Sequence, residues 1–188
     1  GIGAFGLMGG GVWGYKSSSE NSGATPVHLS AWSKENLRIC TPQTVSSGTN
    51  SLTLPAVYQS STHAASCGIY KATTSTSGEY FLFENRSPGG YDEGLYWTIK
   101  WGDTNLVPGS IVYFNGGVAI WHVKDILSSC SGSNNCEAQS PKLVDLEEAN
   151  DADLDNASSR GRTTHLFYSG NNSTFNNSST PNSKLYDN

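Results

Sequence analysis

The first fourteen residues, GIGAFGLMGGGVWG, contain seven glycines, and this density restricts the fold more than any other feature of the chain. Glycine loses more backbone entropy on folding than any other residue, so neither a helix nor a strand tolerates so many. The residues between the glycines are nevertheless apolar, and Phe5, Met8 and Trp13 are large. The segment therefore predicts a tightly turning loop that is buried in the folded protein.

A helix is predicted after a polar linker, over residues 26–37. Thr25 is a suitable N-cap, and Pro26 suits the first helical position because proline has no amide hydrogen to leave unpaired. Ala31, Trp32 and Leu37 follow at a spacing that a helix can place on one side.

Beyond Pro42 the pattern changes to short β-type runs that are separated by Ser, Thr, Gly and Pro. Strands are predicted at 52–58, 67–72, 79–85, 110–114 and 117–125, and the Asn115-Gly116 step indicates a tight hairpin between the last two. The acidic stretch 143–151 is expected to form a helical turn, and the last forty residues an ordered, extended tail. The fold class is therefore predicted as α+β, mostly antiparallel β with one or two short helices, in a single lobe over 1–188.

The composition favours an extracellular protein. Only 14% of the residues are charged, whereas Ser, Thr, Asn and Gly are abundant. The net charge of −5 leaves no basic patch for phosphates, so nucleic acid is not expected as a partner. No apolar run is long enough to span a bilayer, and no leader pattern opens the chain, so we expect a secreted protein with no membrane partner and any signal peptide upstream.

Four cysteines, Cys40, Cys67, Cys130 and Cys136, suggest disulfides, for which three connectivities are possible. We favour Cys40–Cys67 and Cys130–Cys136, because the second pair closes the turn-forming loop SGSNN. Free buried thiols are the alternative. Neither a CxxC pair nor a nearby histidine indicates a zinc site at these residues.

Four separated parts of the chain resemble the immune inhibitor A family, or cowrins, which are secreted zinc endopeptidases related to the metzincins. The matching segments are GIGAFGLMGGGVWG with PVHLSAWSK, then EYFLFENRSPGGYDEGL, then GGVAIWHVKD, and finally VDLEEANDADLDN with HLFYSGNN and TPNSKLYDN. The resemblance implies the C-terminal subdomain of a metzincin-like catalytic domain.

In such enzymes the zinc ligands and the general base lie on a helix with an HExxHxxGxxD-like motif. The resemblance places that helix just before Gly1, and HExxH does not occur in this chain. We therefore expect zinc only in the intact enzyme, with ligands outside this chain, and an inactive chain alone. The implied partners are the upstream zinc-binding half of the same polypeptide and a protein or peptide substrate.

Two single residues have expected roles beside the zinc. Met8, in FGLMGGG, is similar to the family's methionine turn, in which a thioether packs beneath the zinc ligands. His122 lies in the apolar run Ile120–Val123. It is either a hydrogen-bonded core residue or a cleft residue that donates a hydrogen bond to the developing oxyanion.

Two groups of charged residues leave alternatives open. Glu84, Arg86 and Asp92 stand around a glycine turn, where they are expected to form ion pairs that pin the loop. The alternative is that Glu84 or Asp92 binds a structural cation or shapes the substrate cleft. Asp151, Asp153 and Asp155 are possible calcium ligands within a stretch rich in carboxylates, which is otherwise a solvated acidic loop. This stretch departs from the EF-hand pattern, since Asn156 and Arg162 replace the expected Gly and Glu.

A contrasting hypothesis treats the chain as a stand-alone extracellular β-rich binding module. Trp97, Trp101 and Trp121 would then hold a carbohydrate or a peptide on the β surface. Large aromatic residues more often belong to a core, so the exposure of these tryptophans discriminates the two functions.

Overall fold

The computed structural model describes residues 1–46, 48, 51–59, 67–100, 114–125, 141–150, 154–155 and 159–186, without the side chains of residues 97 and 100. A mixed five-stranded sheet is central, in the order β1-β2-β3-β4-β5. β1 pairs with β2 in parallel, and the other neighbours are antiparallel. The strands are β1 (Gln43–Thr44), β2 (Tyr70–Thr73), β3 (Glu79–Arg86), β4 (Gly117–Lys124) and β5 (Val144–Leu146). The predicted α+β fold class is therefore confirmed.

The two long central strands, β3 and β4, form as predicted because their apolar residues supply both faces of the sheet. Leu82 stands opposite Trp121 on one face, and Phe81 stands opposite His122 on the other. Neighbouring residues of a strand point to opposite faces. The alternation therefore divides the core into two layers, which different parts of the chain cover.

The first face is covered by two short helices, α1 (Ala31–Asn36) and α2 (Leu95–Lys100), and by Phe5 of the glycine-rich loop. The predicted start of the first helix is wrong. Ser30 is the N-cap, and its hydroxyl accepts a hydrogen bond from the Ser33 amide. Val27 donates its amide to Gly11 instead, so tertiary hydrogen bonds hold the predicted first turn outside the helix.

The second face is covered by the C-terminal tail. Phe167 and Phe175 pack in the second cluster with Phe81, and the Phe175 ring stands edge-on to Phe81 at 5.4 Å between centroids. Val118 and Phe167 exchange backbone hydrogen bonds. The prediction of an ordered tail is therefore confirmed for residues 159–186, because its scattered aromatic residues fill this layer.

Two strand predictions and one predicted helical turn need correction. Segment 52–58 is not a strand, since only Ala56 forms an isolated bridge, with Asn85. The run at 67–72 becomes a strand only from Tyr70 onward. The acidic stretch forms β5 rather than a helical turn, because Val144–Leu146 pairs with the free edge of β4. The proposed hairpin partner at 110–114 lies, apart from Phe114, outside the described residues.

The Cys40–Cys67 disulfide is confirmed, whereas Cys130 and Cys136 lie outside the described residues. The bond joins the segment after α1 to the segment just before β2, across 27 residues of sequence. Closing a loop of this size restricts the unfolded chain, so the bond is expected to stabilise the fold by about 2–4 kcal/mol.

We expect a chain with Ala at both Cys40 and Cys67 to unfold at a lower urea concentration. Its free energy of unfolding should be lower by about 2–4 kcal/mol. Urea titration followed by circular dichroism measures the loss. Wild-type protein in reductant is the control and should show a similar loss. An unchanged midpoint in the double variant would contradict the assignment of a stabilising role to this bond.

No helix within the described ranges has both the length and the apolar character to cross a membrane.

Candidate functional site

The glycine-rich loop is ordered by hydrogen bonds to segments that are distant in the sequence. It contains two 3₁₀ turns, Gly3–Phe5 and Gly10–Trp13. The Ala4 amide donates to Arg160 at 2.7 Å, and the Leu7 amide donates to the His28 carbonyl at 3.1 Å. A β-carbon at Gly11 would lie 2.2 Å from the Val27 side chain, so this close approach requires glycine. The prediction of a tightly turning loop is confirmed.

The same loop exposes three of its apolar side chains, which corrects the expectation that the loop is buried. Ala4 and Phe5 are buried, but Met8 is 69% exposed and Trp13 is 56% exposed, and Val12 is exposed as well. The backbone is thus held firmly while the apolar side chains face outward. This combination defines an apolar loop surface, formed by Met8, Val12 and Trp13.

A groove of about 430 Å³ lies next to this loop, and its walls are mostly apolar. Leu7 connects the groove to the loop, Ile39 and Tyr91 stand exposed on its lining, and the Cys40–Cys67 disulfide forms part of a wall. The remaining lining residues are Pro26, Val27, His28, Leu29, Lys34 and Val57. A volume of this size is within the range of ligand pockets, about 300–1,000 Å³.

His28 supplies the groove with a polar ring. Its amide donates to Asp92 Oδ1 at 3.2 Å, and its ring meets the Tyr91 ring edge-on at 5.4 Å between centroids. The Nε2 atom is buried and has no hydrogen-bond partner among the described residues. Burial lowers the pKa of His28 and outweighs the opposing charge of Asp92, so the imidazole is neutral at neutral pH.

A buried ion-pair network lies beneath the groove and the loop, with Arg86 at its centre. Arg86 Nε donates to Asp92 Oδ2 at 2.7 Å, and its Nη1 donates to Glu84 Oε1 at 3.2 Å and to the Phe5 carbonyl. Lys34 Nζ lies 2.9 Å from the second oxygen of Glu84. The charged residues around the glycine turn therefore form ion pairs, as one of the two interpretations predicted. Glu84 pairs with Arg86 and Lys34, and Asp92 pairs with Arg86.

Electrostatics favours the charged form of this network despite its burial. Burial raises the pKa of Asp92, but the Arg86 guanidinium outweighs this effect and holds that pKa below its usual range. Arg86 binds the loop at the Phe5 carbonyl, and Glu84 binds Lys34 of α1. Asp92, which pairs with Arg86, also accepts the His28 amide at the groove. The network therefore sets the position of the loop relative to the groove.

His122 lies on the opposite face of the sheet from this site. It is buried, and its ring is sandwiched between Phe81 and Tyr186, at 4.3 and 4.2 Å between centroids. Its two ring nitrogens lie 2.9 Å from Glu147 and 2.8 Å from Glu79. Both nitrogens thus have partners in a core, and we propose no cleft role for His122.

Of the predicted calcium ligands only Asp155 is described, and it does not line the groove. Asp151 and Asp153 lie outside the described residues, and the Asp155 carboxylate is paired with Lys142. In the part of the chain that the structure describes, no three His, Cys, Asp or Glu side chains form a group that could hold a metal. Asp155 alone does not fit a calcium site, so calcium stays a prediction. The described histidines likewise do not fit a zinc site.

The tryptophans of the binding-module hypothesis are only partly described. Trp121 is completely buried, and its Nε1 donates to Glu84 at 3.0 Å. It therefore cannot serve as a platform for a sugar. The Trp97 side chain and Trp101 lie outside the described residues.

Sequence reasoning missed His28 and Tyr91 as parts of a site. The only local signal at His28 is a histidine between apolar Val27 and Leu29, which a core histidine would show equally. Tyr91 follows a glycine pair in an ordinary turn pattern. The two rings meet because Asp92, next to Tyr91, accepts a hydrogen bond from the His28 amide. No local sequence pattern predicts this contact between distant residues.

The pKa of His28 gives a prediction about stability. Since the folded pKa is lowered, the unfolded chain binds the proton more tightly, and stability should fall as the pH decreases below the unfolded value of about 6.5. The His28→Gln variant should show a flatter decline between pH 7.5 and 5.5. Urea titrations at three pH values measure this difference, and parallel pH profiles for variant and wild type would contradict it.

No protein-family model, no curated protein and no solved structure matches this chain.

Proposed function

We propose that this chain is the C-terminal subdomain of a secreted, metzincin-like zinc endopeptidase, where it supplies the methionine turn and a wall of the substrate cleft. The observation that carries the proposal is the firmly held loop that presents Met8, Val12 and Trp13 outward beside an apolar groove. The sequence resemblance to the immune inhibitor A family, which includes this loop and three further segments, supports the same function.

The exposed loop surface suits contact with another part of the enzyme. Contiguous exposed apolar residues commonly mark interaction sites, because covering them removes apolar area from water. Met8 suits a position beneath metal ligands, since its flexible thioether fills an irregular gap without acting as a hard ligand. Arg86 holds this surface in place through the Phe5 carbonyl.

The zinc itself is proposed to be held by residues that precede Gly1 in the polypeptide. When bound, such a zinc polarises the scissile carbonyl and lowers the pKa of its water to about 7. The residues of this chain then act by packing and by positioning. Met8 supports the ligands, and the groove beside Leu7 and Ile39 holds part of the peptide substrate. The chain alone is therefore proposed to be catalytically incomplete.

Casein hydrolysis tests the proposal in two forms of the protein, the 188-residue chain and the polypeptide with its preceding sequence. We expect cleavage only by the longer form and its loss on treatment with a zinc chelator. Cleavage by the 188-residue chain alone, or chelator-resistant cleavage by the longer form, would overturn the proposal.

Met8→Ser in the longer polypeptide tests the methionine turn. We expect zinc to bind at least several-fold more weakly, because a small polar side chain leaves the ligands without support. Leu52→Ser is the matched control, since Leu52 is another exposed apolar residue and does not belong to the loop surface. Zinc affinity measured by competition with a chromogenic chelator should not change in the control. Equal zinc affinities of both variants and wild type would contradict the proposal that Met8 supports the zinc ligands.

A further inference from the structure

The groove contains one feature that the packing roles proposed above do not use, the unpaired Nε2 of His28. Nearly all buried polar atoms in native structures have a hydrogen-bond partner, and an unpaired one costs free energy. Lys34, another polar residue on the lining, is already bound to Glu84. His28 Nε2 is therefore the atom of this lining that gains from a new polar partner.

His28 Nε2 is enclosed on one side by Gly90 and Tyr58, whereas the exposed Tyr91 ring covers the imidazole elsewhere. A β-carbon at Gly90 would lie 3.7 Å from Nε2 and 3.0 Å from Tyr58 Cβ, so backbone and Tyr58 enclose that side. The Tyr91 ring stands against the imidazole but is itself 62% exposed. Exposed side chains change rotamer within picoseconds to nanoseconds. Tyr91 is therefore a side chain of this lining that can move away from the imidazole.

The chemistry of the site selects a neutral ligand with an apolar body and a hydroxyl tip. The walls offer apolar contact, and the imidazole is neutral because burial lowers its pKa, so neither carboxylates nor ammonium groups find an opposite charge at Nε2. A phenol can donate to a neutral imidazole nitrogen or accept from it, whichever tautomer is present. Aromatic rings also gain from contact with the Tyr91 ring.

We propose that this groove binds the side chain of a tyrosine residue of a peptide, with the phenol hydroxyl hydrogen-bonded to His28 Nε2 after Tyr91 rotates aside. In the endopeptidase proposed above, on which this interpretation rests, the groove is a substrate subsite and His28 determines its preference. His28 does not contact the reacting atoms in this arrangement. Its effect is on which peptide side chain is accepted.

The test titrates the 188-residue chain, labelled with ¹⁵N-histidine, with N-acetyl-L-tyrosinamide and separately with N-acetyl-L-phenylalaninamide. We expect the tyrosine amide to shift the Nε2 resonance of His28 and to bind at least about fivefold more tightly, the effect of one net hydrogen bond. The His28→Gln variant assigns the resonance by its loss. Equal affinities for the two amides, or no shift of the His28 resonance at saturation, would overturn the proposal.

Matched variants show whether binding occurs in the groove. Ile39→Glu places a charge on the lining, whereas Leu37→Glu places one on a neighbouring residue of similar exposure, 59% against 56%, that does not line the groove. We expect Ile39→Glu to weaken both amides at least tenfold and Leu37→Glu to change neither. His28→Phe should bind the two amides equally. Equal weakening by the two glutamate variants would contradict a site in this groove.

This experiment requires neither zinc nor hydrolysis. A negative result here leaves the casein test of the proposed function unaffected, and a failure of the casein test leaves a measured preference for tyrosine intact. The two proposals are therefore distinguished by their readouts.

Discussion

Replacing Arg86 with methionine is expected to destabilise the protein by about 3–5 kcal/mol, a large part of the 5–15 kcal/mol that stabilises a typical domain. The guanidinium is completely buried between Glu84 and Asp92, which are buried as well. Without it, two carboxylates would remain in the interior, and Lys34 is close enough to compensate only Glu84. Urea unfolding followed by circular dichroism measures the loss.

The matched control for this prediction is Lys16→Met. Lys16 pairs with Glu93 at 3.3 Å, but both side chains are about half exposed, so this ion pair is expected to contribute less than about 1 kcal/mol. Similar losses in the two variants would mean that burial does not determine the importance of Arg86. Arg86→Lys should be intermediate, because lysine keeps the charge but not the planar fork that binds Asp92 with two hydrogen bonds.

The Arg86 variants also test how the glycine-rich loop is held. Arg86 Nη1 donates to the Phe5 carbonyl, so its loss removes a bond between the sheet and the loop. We expect faster hydrogen exchange at the amides of Ala4 and Leu7 in Arg86→Met than in Lys16→Met, measured under conditions where both variants are folded. Unchanged exchange at these two amides would contradict a positioning role for Arg86 on the loop.

Truncation of Trp121 to alanine is the second change with a large expected effect, about 3–5 kcal/mol. The indole is completely buried in the first core layer with Phe5 and Leu82. Its removal leaves a cavity and also takes a hydrogen-bond donor from Glu84. Thermal and urea unfolding both measure this loss, and Trp121→Phe should recover most of the packing but not the hydrogen bond.

Trp13→Ala is the matched control for Trp121, since it removes the same side chain from an exposed position. In the 188-residue chain we expect a change within about 0.5 kcal/mol. In the longer polypeptide, where the loop surface is proposed to be covered, the same substitution should cost more. Equal effects of Trp13→Ala and Trp121→Ala in the short chain would contradict the described exposure. Equal small effects of Trp13→Ala in both polypeptides would contradict a covered loop surface.

Parts of the candidate site could be predicted from local patterns. The seven glycines predicted a tightly turning loop, and Gly11 shows the reason, since no β-carbon fits against Val27. Ion pairs that pin the loop were one of the alternatives that the sequence left open around the glycine turn, and Arg86 and Asp92 form such a pair. The outward direction of Met8 and Trp13 was not predicted, because large apolar side chains among glycines ordinarily indicate burial.

The sequence by itself determined the two central strands and the turning of the opening loop. These features follow from alternation of side chains, from the size of glycine and from the preferences of short segments, all of which act between residues close in the chain. Tertiary structure decided that Ser30 rather than Thr25 caps α1, that His122 faces the tail, and that His28 lines a groove with an unpaired nitrogen. The physical reason is that hydrogen-bond partners and burial depend on contacts between distant segments, as when Val27 donates to Gly11 and leaves the helix.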